Sequence, residues 1–198
     1  LAMSETSFSF VKIAEEELRL AANDLEDLKR RVASGIKNQR DEKDPEWVSL
    51  YEEFQRIMKK HYIHGQEGFT MENIKETQKD YEELFKSVED YHTRMRRLTM
   101  NFNGDEMAAR SYKHVTNSTT VSDFPAIYHV IKGSKVRLDY KIGQNQGVLD
   151  NEDFLKKMIR EEARIEMKTN QSASALTRED FNYIVESLFE EYEEEYQH

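Results

Sequence analysis

Two long stretches of this sequence place apolar residues alternately three and four positions apart, a spacing that admits little besides helices packed along a seam. In the first, Val11, Ala14, Leu18, Ala21, Leu25, Leu28, Val32 and Gly35 trace one stripe. In the second the stripe is Ile74, Thr77, Tyr81, Leu84, Val88, Tyr91, Met95, Leu98 and Phe102. Such a period keeps the apolar positions on one side of a helix and leaves the other side for water. The first stretch predicts a helix from about Ser9 to Lys37. The second predicts one capped by Thr70 and running from Met71 to Phe102, about 45 Å long at ~1.5 Å per residue.

The punctuation between these stretches predicts further helices. The polar run Asn38 to Lys43 reads as a linker, and Asp44-Pro45 starts a helix, since Asp caps well and Pro is favoured at the first helical position. Val48, Leu50, Tyr51, Phe54, Ile57 and Met58 give that helix an apolar side, and it is expected to end before Gly65 and Gly68. Gly104 ends the long helix and Asp105 opens a short one reaching about Thr116. After an Asn/Ser/Thr-rich turn, Ser122 or Asp123 caps a helix with Pro125 in its first turn and a partial stripe of Tyr128, Ile131, Val136 and Leu138. Gly143 and Gly147 are expected to loosen the backbone. Asp150, with Asp153 at capping-box distance, opens a helix over Asn151 to Lys168. Thr177 with Asp180 opens the last helix, Arg178 to Tyr196, whose apolar face is Phe181, Ile184, Val185, Leu188, Phe189 and Tyr192. No long period-2 segment occurs. The expected class is all-α: a bundle of about six to seven helices, two of them long and heptad-patterned. It forms one helical domain over 1–198, with 1–43 as N-terminal helix and linker and 44–198 as bundle body.

Composition agrees with narrow apolar stripes and wide wet faces, at 37% apolar and 34% charged residues. Ten Phe, ten Tyr and one Trp oppose general disorder, because disordered chains are poor in aromatics. The chain has no Cys, which excludes disulfides and thiolate metal sites and is compatible with a reducing compartment. No apolar run approaches the ~20 residues a membrane span needs, and no signal peptide is visible, so the expected location is the cytoplasm. Leu1-Ala2-Met3 reads as a cloning scar or domain cut, fitting an excised piece of a larger protein.

Charge is unevenly spread within a net −10. Residues 150–198 hold 14 acids against 6 bases, whereas residues 91–143 hold 9 bases against 4 acids. The basic stretch makes Arg94, Arg97, Arg110, Lys113, Lys135 and Arg137 candidate phosphate contacts, with the salt dependence such contacts carry. Arg94 and Arg97 share a helix face, and a break at Gly104 can fold Arg110 and Lys113 back toward them. The plainer reading makes the same bases solvated faces and partners for the acidic segments.

Other constellations weaken on inspection. Glu89 and His92 form the Glu-x-x-His half-motif of di-iron bundles without a second copy. His61 and His64, three apart near a helix end, suit a metal only with help from elsewhere, and cations also suit a helix C-terminus. Glu166-Met167-Lys168 has the letters of a nuclease core that sits on strands, but it lies in a helical stretch. Lys132-Gly133-Ser134-Lys135 lacks the strand and the upstream Gly of a P-loop. The crowd of Glu190, Glu191, Glu193, Glu194 and Glu195 is an acidic helix end that opposes its dipole. With neither a Gly-x-Ser-x-Gly elbow nor a Cys nucleophile, the chain offers no catalytic residues, no metal site and no cofactor site.

Two blocks of sequence go further. One is Asn101 to Lys113, with Asn103, Gly104, Asp105, Ala109, Arg110 and Lys113; the other is Leu138 to Phe154, with Asp139, Lys141, Asn145, Gly147, Leu149, Asn151 and Phe154. Together they resemble the C-terminal helical region of the motor subunit (R, or HsdR) of type I restriction-modification enzymes. There, a block reading roughly Asn-Gly-Asp, then Ala-Arg and a base, precedes one reading Asp-x-Lys, Asn, Gly-[Ile/Val]-Leu-x-Asn and Phe. The resemblance covers about the second half of the chain. It implies a non-catalytic assembly module docking onto the methyltransferase and specificity subunits near DNA. The nuclease and the ATP- and Mg-dependent translocase then belong to other domains of the parent subunit, and no membrane is involved. The alternative is a free-standing helical scaffold whose heptads are intermolecular seams, and a weaker third is a metal-binding bundle.

Overall fold

The computed structural model describes residues 5–121 and 123–196, with side chains over 12–121 and 123–194. In it, α1 is Glu5–Asn38, α2 is Pro45–Glu67 and α3 is Met71–Asn101. These are followed by α4 (Glu106–Thr116), α5 (Phe124–Gln144), α6 (Glu152–Thr169) and α7 (Arg178–Tyr196), with short 3-10 turns at Gln146–Asp150 and Gln171–Ala173. The protein is all-α, with no strand among the described residues. Nor is any described helix long and apolar enough to cross a membrane. Leu1 to Met3, Ser122 as a cap, and the side chains of Val11 and Glu195 lie outside the described residues.

Every stripe residue of α3, from Ile74 through Thr77 to Leu98, is buried, as is Phe102 just past its end. The chain divides into two compact units, Leu1–Arg94 and Met95–His198, with the division inside α3. In the first unit, Leu25, Val32 and Ile36 of α1 are buried; nearer its start the stripe residue Ala14 is exposed and Leu18 and Ala21 are half-buried, and off the stripe Ile13 is 54% and Leu20 50% exposed. At Gly35, α1 approaches α3 closely. A Cβ there would lie 2.9 Å from a Val88 methyl, and the Gly35 carbonyl accepts from His92 Nε2–H at 2.9 Å. Val88 is β-branched and has little rotamer freedom to give. Gly35→Val is expected to cost about 2 kcal/mol through overpacking; an unchanged urea midpoint would show that this approach is not tight.

Asp44 caps α2 by accepting the Glu46 amide at 3.0 Å, and the Trp47 indole donates to the Ile36 carbonyl at 2.9 Å. The helix does not stop before Gly65 as expected: it runs on to Glu67 and ends at Gly68, whose φ is 93°. A single Gly inside a helix costs only ~1 kcal/mol, whereas a left-handed residue ends it. Thr70 opens α3 in a reciprocal pair with Asn73, each side chain accepting the other's backbone N–H, at 2.9 and 3.2 Å.

The second unit follows a left-handed reversal at Asn103 (φ 57°) and Gly104 (φ 86°), where the Gly104 amide closes the last turn of α3 by donating to Thr99 O at 2.9 Å. Asp105 then caps α4 through the Ala108 amide at 3.1 Å. Rings of Phe102, Tyr112, Phe124 and Tyr183 pack at centroid separations of 4.9 to 6.1 Å. The buried face of α5 is Ala126, Ile127, Val130, Ser134, Leu138 and Ile142. The expected stripe is therefore corrected: Leu138 is buried, but Tyr128 is 47% and Val136 72% exposed. A buried Ser in the middle of that face breaks the apolar pattern that periodicity relies on. Gly143 lies within α5 and Gly147 within a 3-10 turn, neither at positive φ. That turn takes up Asp150, so the cap of α6 is Asn151, accepting the Phe154 amide at 3.1 Å. Thr177 and Asp180 form the expected reciprocal box at α7, at 3.0 and 3.2 Å.

Candidate functional site

The two charge blocks of the sequence meet in the second unit. Three bases on one stretch of α5 face acids of α6 and α7. Arg137 bonds Glu162 and Glu166 at 2.8 Å each, Lys141 pairs with Glu162, and Lys135 pairs with Glu191. Glu162 is 1% exposed. Burial pushes its carboxyl pKa up, but the bonds from Lys141 and Arg137 outweigh this and hold it below its ordinary value. The guanidinium of Arg137 is held more firmly charged, first by Glu162 and then by Glu166 against some burial. Gly133 leaves room for this network, because a Cβ there would run into the Glu166 carboxylate. Beside it, the Tyr192 hydroxyl donates to Asp139 at 2.7 Å.

Of the six candidate phosphate contacts, four are thus engaged with the protein's own groups. Lys135 and Arg137 belong to the network above. Lys113 is 1% exposed and donates from Nζ to Asn117 Oδ1 at 2.8 Å. Arg94, in the first unit, bonds Glu46 and Asp90 at 2.9 Å each. That leaves Arg97, exposed, and Arg110, half-buried, neither in an ion pair among the described residues. A count of bases could not reveal this, because whether a base is free depends on the helix packed against it.

The residues carrying the family resemblance mostly hold helix ends. Asn103, Gly104 and Asp105 make the reversal into α4, Asn145 ends α5, and Asn151 starts α6. Leu149 is half-buried, Phe154 is 47% exposed, and Asp139 anchors Tyr192.

In the first unit the histidines are built into the packing. His92 holds Gly35, and Glu89 is exposed one turn away. Glu166-Met167-Lys168 lies on α6, not on a strand. No group of three or more His, Asp or Glu suited to a metal occurs among the described residues. His61 is 3% exposed, edge-on to Tyr81 and near Phe69, with Glu26 3.3 Å from Nε2. Burial lowers its pKa, and the opposing pull of Glu26 does not restore it. A histidine whose folded pKa lies below its unfolded value of about 6.5 takes up protons preferentially when unfolded. Stability is therefore complete above pH ~6.5 and declines as pH falls toward the depressed value. His61→Phe should flatten that decline, read from denaturation midpoints at neutral and mildly acidic pH; equal slopes in the two proteins would exclude His61 as its source. The Tyr81 hydroxyl, also buried and unbonded, is pushed up by burial and then by Glu26.

Two recesses differ in character. One in the first unit, about 450 Å³, mixes Glu46 and Asp90 with Lys86 and Arg94, so its charges offset one another. The other, about 290 Å³ in the second unit, lies between the end of α6 and the start of α7 and is lined by bases and apolar groups without an acid. No family model matches the chain, and it matches no curated protein and no solved structure.

Proposed function

We propose that this chain is a non-catalytic helical assembly module, serving as the C-terminal region of a type I restriction motor subunit does. In that reading it docks onto the methyltransferase and specificity subunits. Nuclease and ATP-driven translocase activities reside in other domains of the parent protein, with their ATP and Mg. The observation that supports it is the use made of the two motif blocks: Asp105 and Asn151 cap helices, and Asn103 with Gly104 turns the chain left-handed. Such residues fix helix ends and so shape a docking surface.

The test is a pull-down with the methyltransferase and specificity subunits, using the intact motor subunit as positive control. Retention of the core by this chain is expected; capture by the intact subunit alone overturns the reading. DNA contact, on this reading, falls to Arg97 and Arg110. Duplex binding should weaken with salt and be lost in Arg97→Ala/Arg110→Ala whatever the sequence; absence of binding excludes such contact.

A second reading, a free-standing scaffold that pairs with another helix, is favoured by one feature. Ile13 and Leu20, seven apart at the beginning of α1, are both half or more exposed. Light scattering separates the two: a stable dimer lost in Ile13→Glu/Leu20→Glu supports the scaffold, and a monomer supports the assembly module.

A further inference from the structure

We propose that the recess between α6 and α7 docks a short acidic peptide segment carrying one bulky apolar side chain. Its apolar lining is Met167, Leu176 and Phe181, all half-buried, and its rim is Arg164, Lys168 and Arg178, all exposed. The Arg164 guanidinium lies over the Phe181 ring at 5.6 Å, so cation and apolar surface are contiguous. None of the three rim bases joins an ion pair among the described residues. The contrast, in a chain of net charge −10, is with Lys135, Arg137 and Lys141 of the neighbouring α5, each matched to a carboxylate. Asp180, in the first turn of α7, does not line the recess; its carboxylate accepts from the Thr177 amide at 3.0 Å and the Tyr112 hydroxyl at 3.1 Å.

Charge complementarity selects the occupant. Unpaired cations ringing a small apolar recess match carboxylates flanking one Trp, Phe or Leu, the anchor-and-rim pattern of peptide recognition. The volume of about 290 Å³ suits a single anchor and not a long helix face. A long polyanion fits poorly: with a screening length of about 8 Å at physiological salt, it would reach past the rim into the field of an acidic protein.

The experiment is selection of a random short-peptide display library on the intact chain, followed by fluorescence anisotropy with the selected peptides. Enrichment of acidic sequences around one large apolar residue is expected. Arg164→Glu/Arg178→Glu, both surface changes, should weaken binding about tenfold while circular dichroism stays unchanged. Replacing the anchor of the peptide by Ser should abolish binding. No enrichment, enrichment of neutral or basic sequences, or binding indifferent to the charge reversal overturns the proposal. So does a surface that binds phosphatidylglycerol vesicles or a second copy of the chain in place of peptides.

Discussion

Replacing Arg137 and Lys141 together by Met is expected to destabilise the second unit by about 3 kcal/mol at neutral pH, the low end for breaking a buried ion pair. The asymmetry of burial sets the size. Glu162 is 1% exposed, whereas the side chains of Arg137 and Lys141 keep 37% and 49% of their surface in water. Removing the acid leaves cations that water can reach; removing the cations strands a carboxylate that water cannot. The pH dependence identifies the cause. In the parent, the Glu162 carboxyl is held below its unfolded value of about 4.3, so its contribution is present above that pH and lost as pH falls through the depressed value. In the variant, burial alone acts on it and raises its pKa. Parent and variant should then converge as pH falls through the carboxyl range. Urea unfolding at several pH values measures this, and a gap that stays constant or widens in acid assigns the loss to something other than Glu162.

Asp44→Ala should cost the first unit about 3 kcal/mol, combining a lost cap of about 1 kcal/mol with an orphaned buried hydroxyl of ~1–3 kcal/mol. Asp44 is fully buried, accepting the Glu46 amide at 3.0 Å and the Tyr91 hydroxyl at 2.5 Å. It therefore ties the start of α2 to the middle of α3. Tyr91 is itself 1% exposed, and its hydroxyl is pushed well above the usual phenol range, first by burial and then by Asp44. Tyr91→Phe alone removes one donor from the buried Asp44 carboxylate. The double variant should thus cost less than the two singles combined, by about 1 kcal/mol or more in a double-mutant cycle. Strict additivity would mean that the hydroxyl and the carboxylate act independently.

How much of this was legible beforehand depends on the physics behind each element. The stripe of α3 was readable because one apolar face, repeated over several turns, can be satisfied only by burial. Caps at Asp44, Thr70, Asp105 and Thr177 were readable because a side chain acts on its own turn. The face of α5 was not, since Ser134 and Ala126 are buried by close approach of neighbouring helices, which no local pattern encodes. The cap of α6 was missed by one residue because a 3-10 turn consumed Asp150. The basic stretch was the largest gap between list and arrangement: Arg137 and Lys135 meet partners 25 and 56 residues away. For the same reason the recess between α6 and α7 was invisible, being rimmed by bases that join no ion pair among the described residues.

The inward-turned charges of α5 also set how this protein must be assayed. Raising ionic strength acts on two things together: whatever the chain holds, and the clasp between its own helices. A titration curve against added sodium chloride read as ligand loss alone would therefore mix dissociation with loosening of the host. Each salt point needs its own melting curve before a slope is converted into a number of contacts.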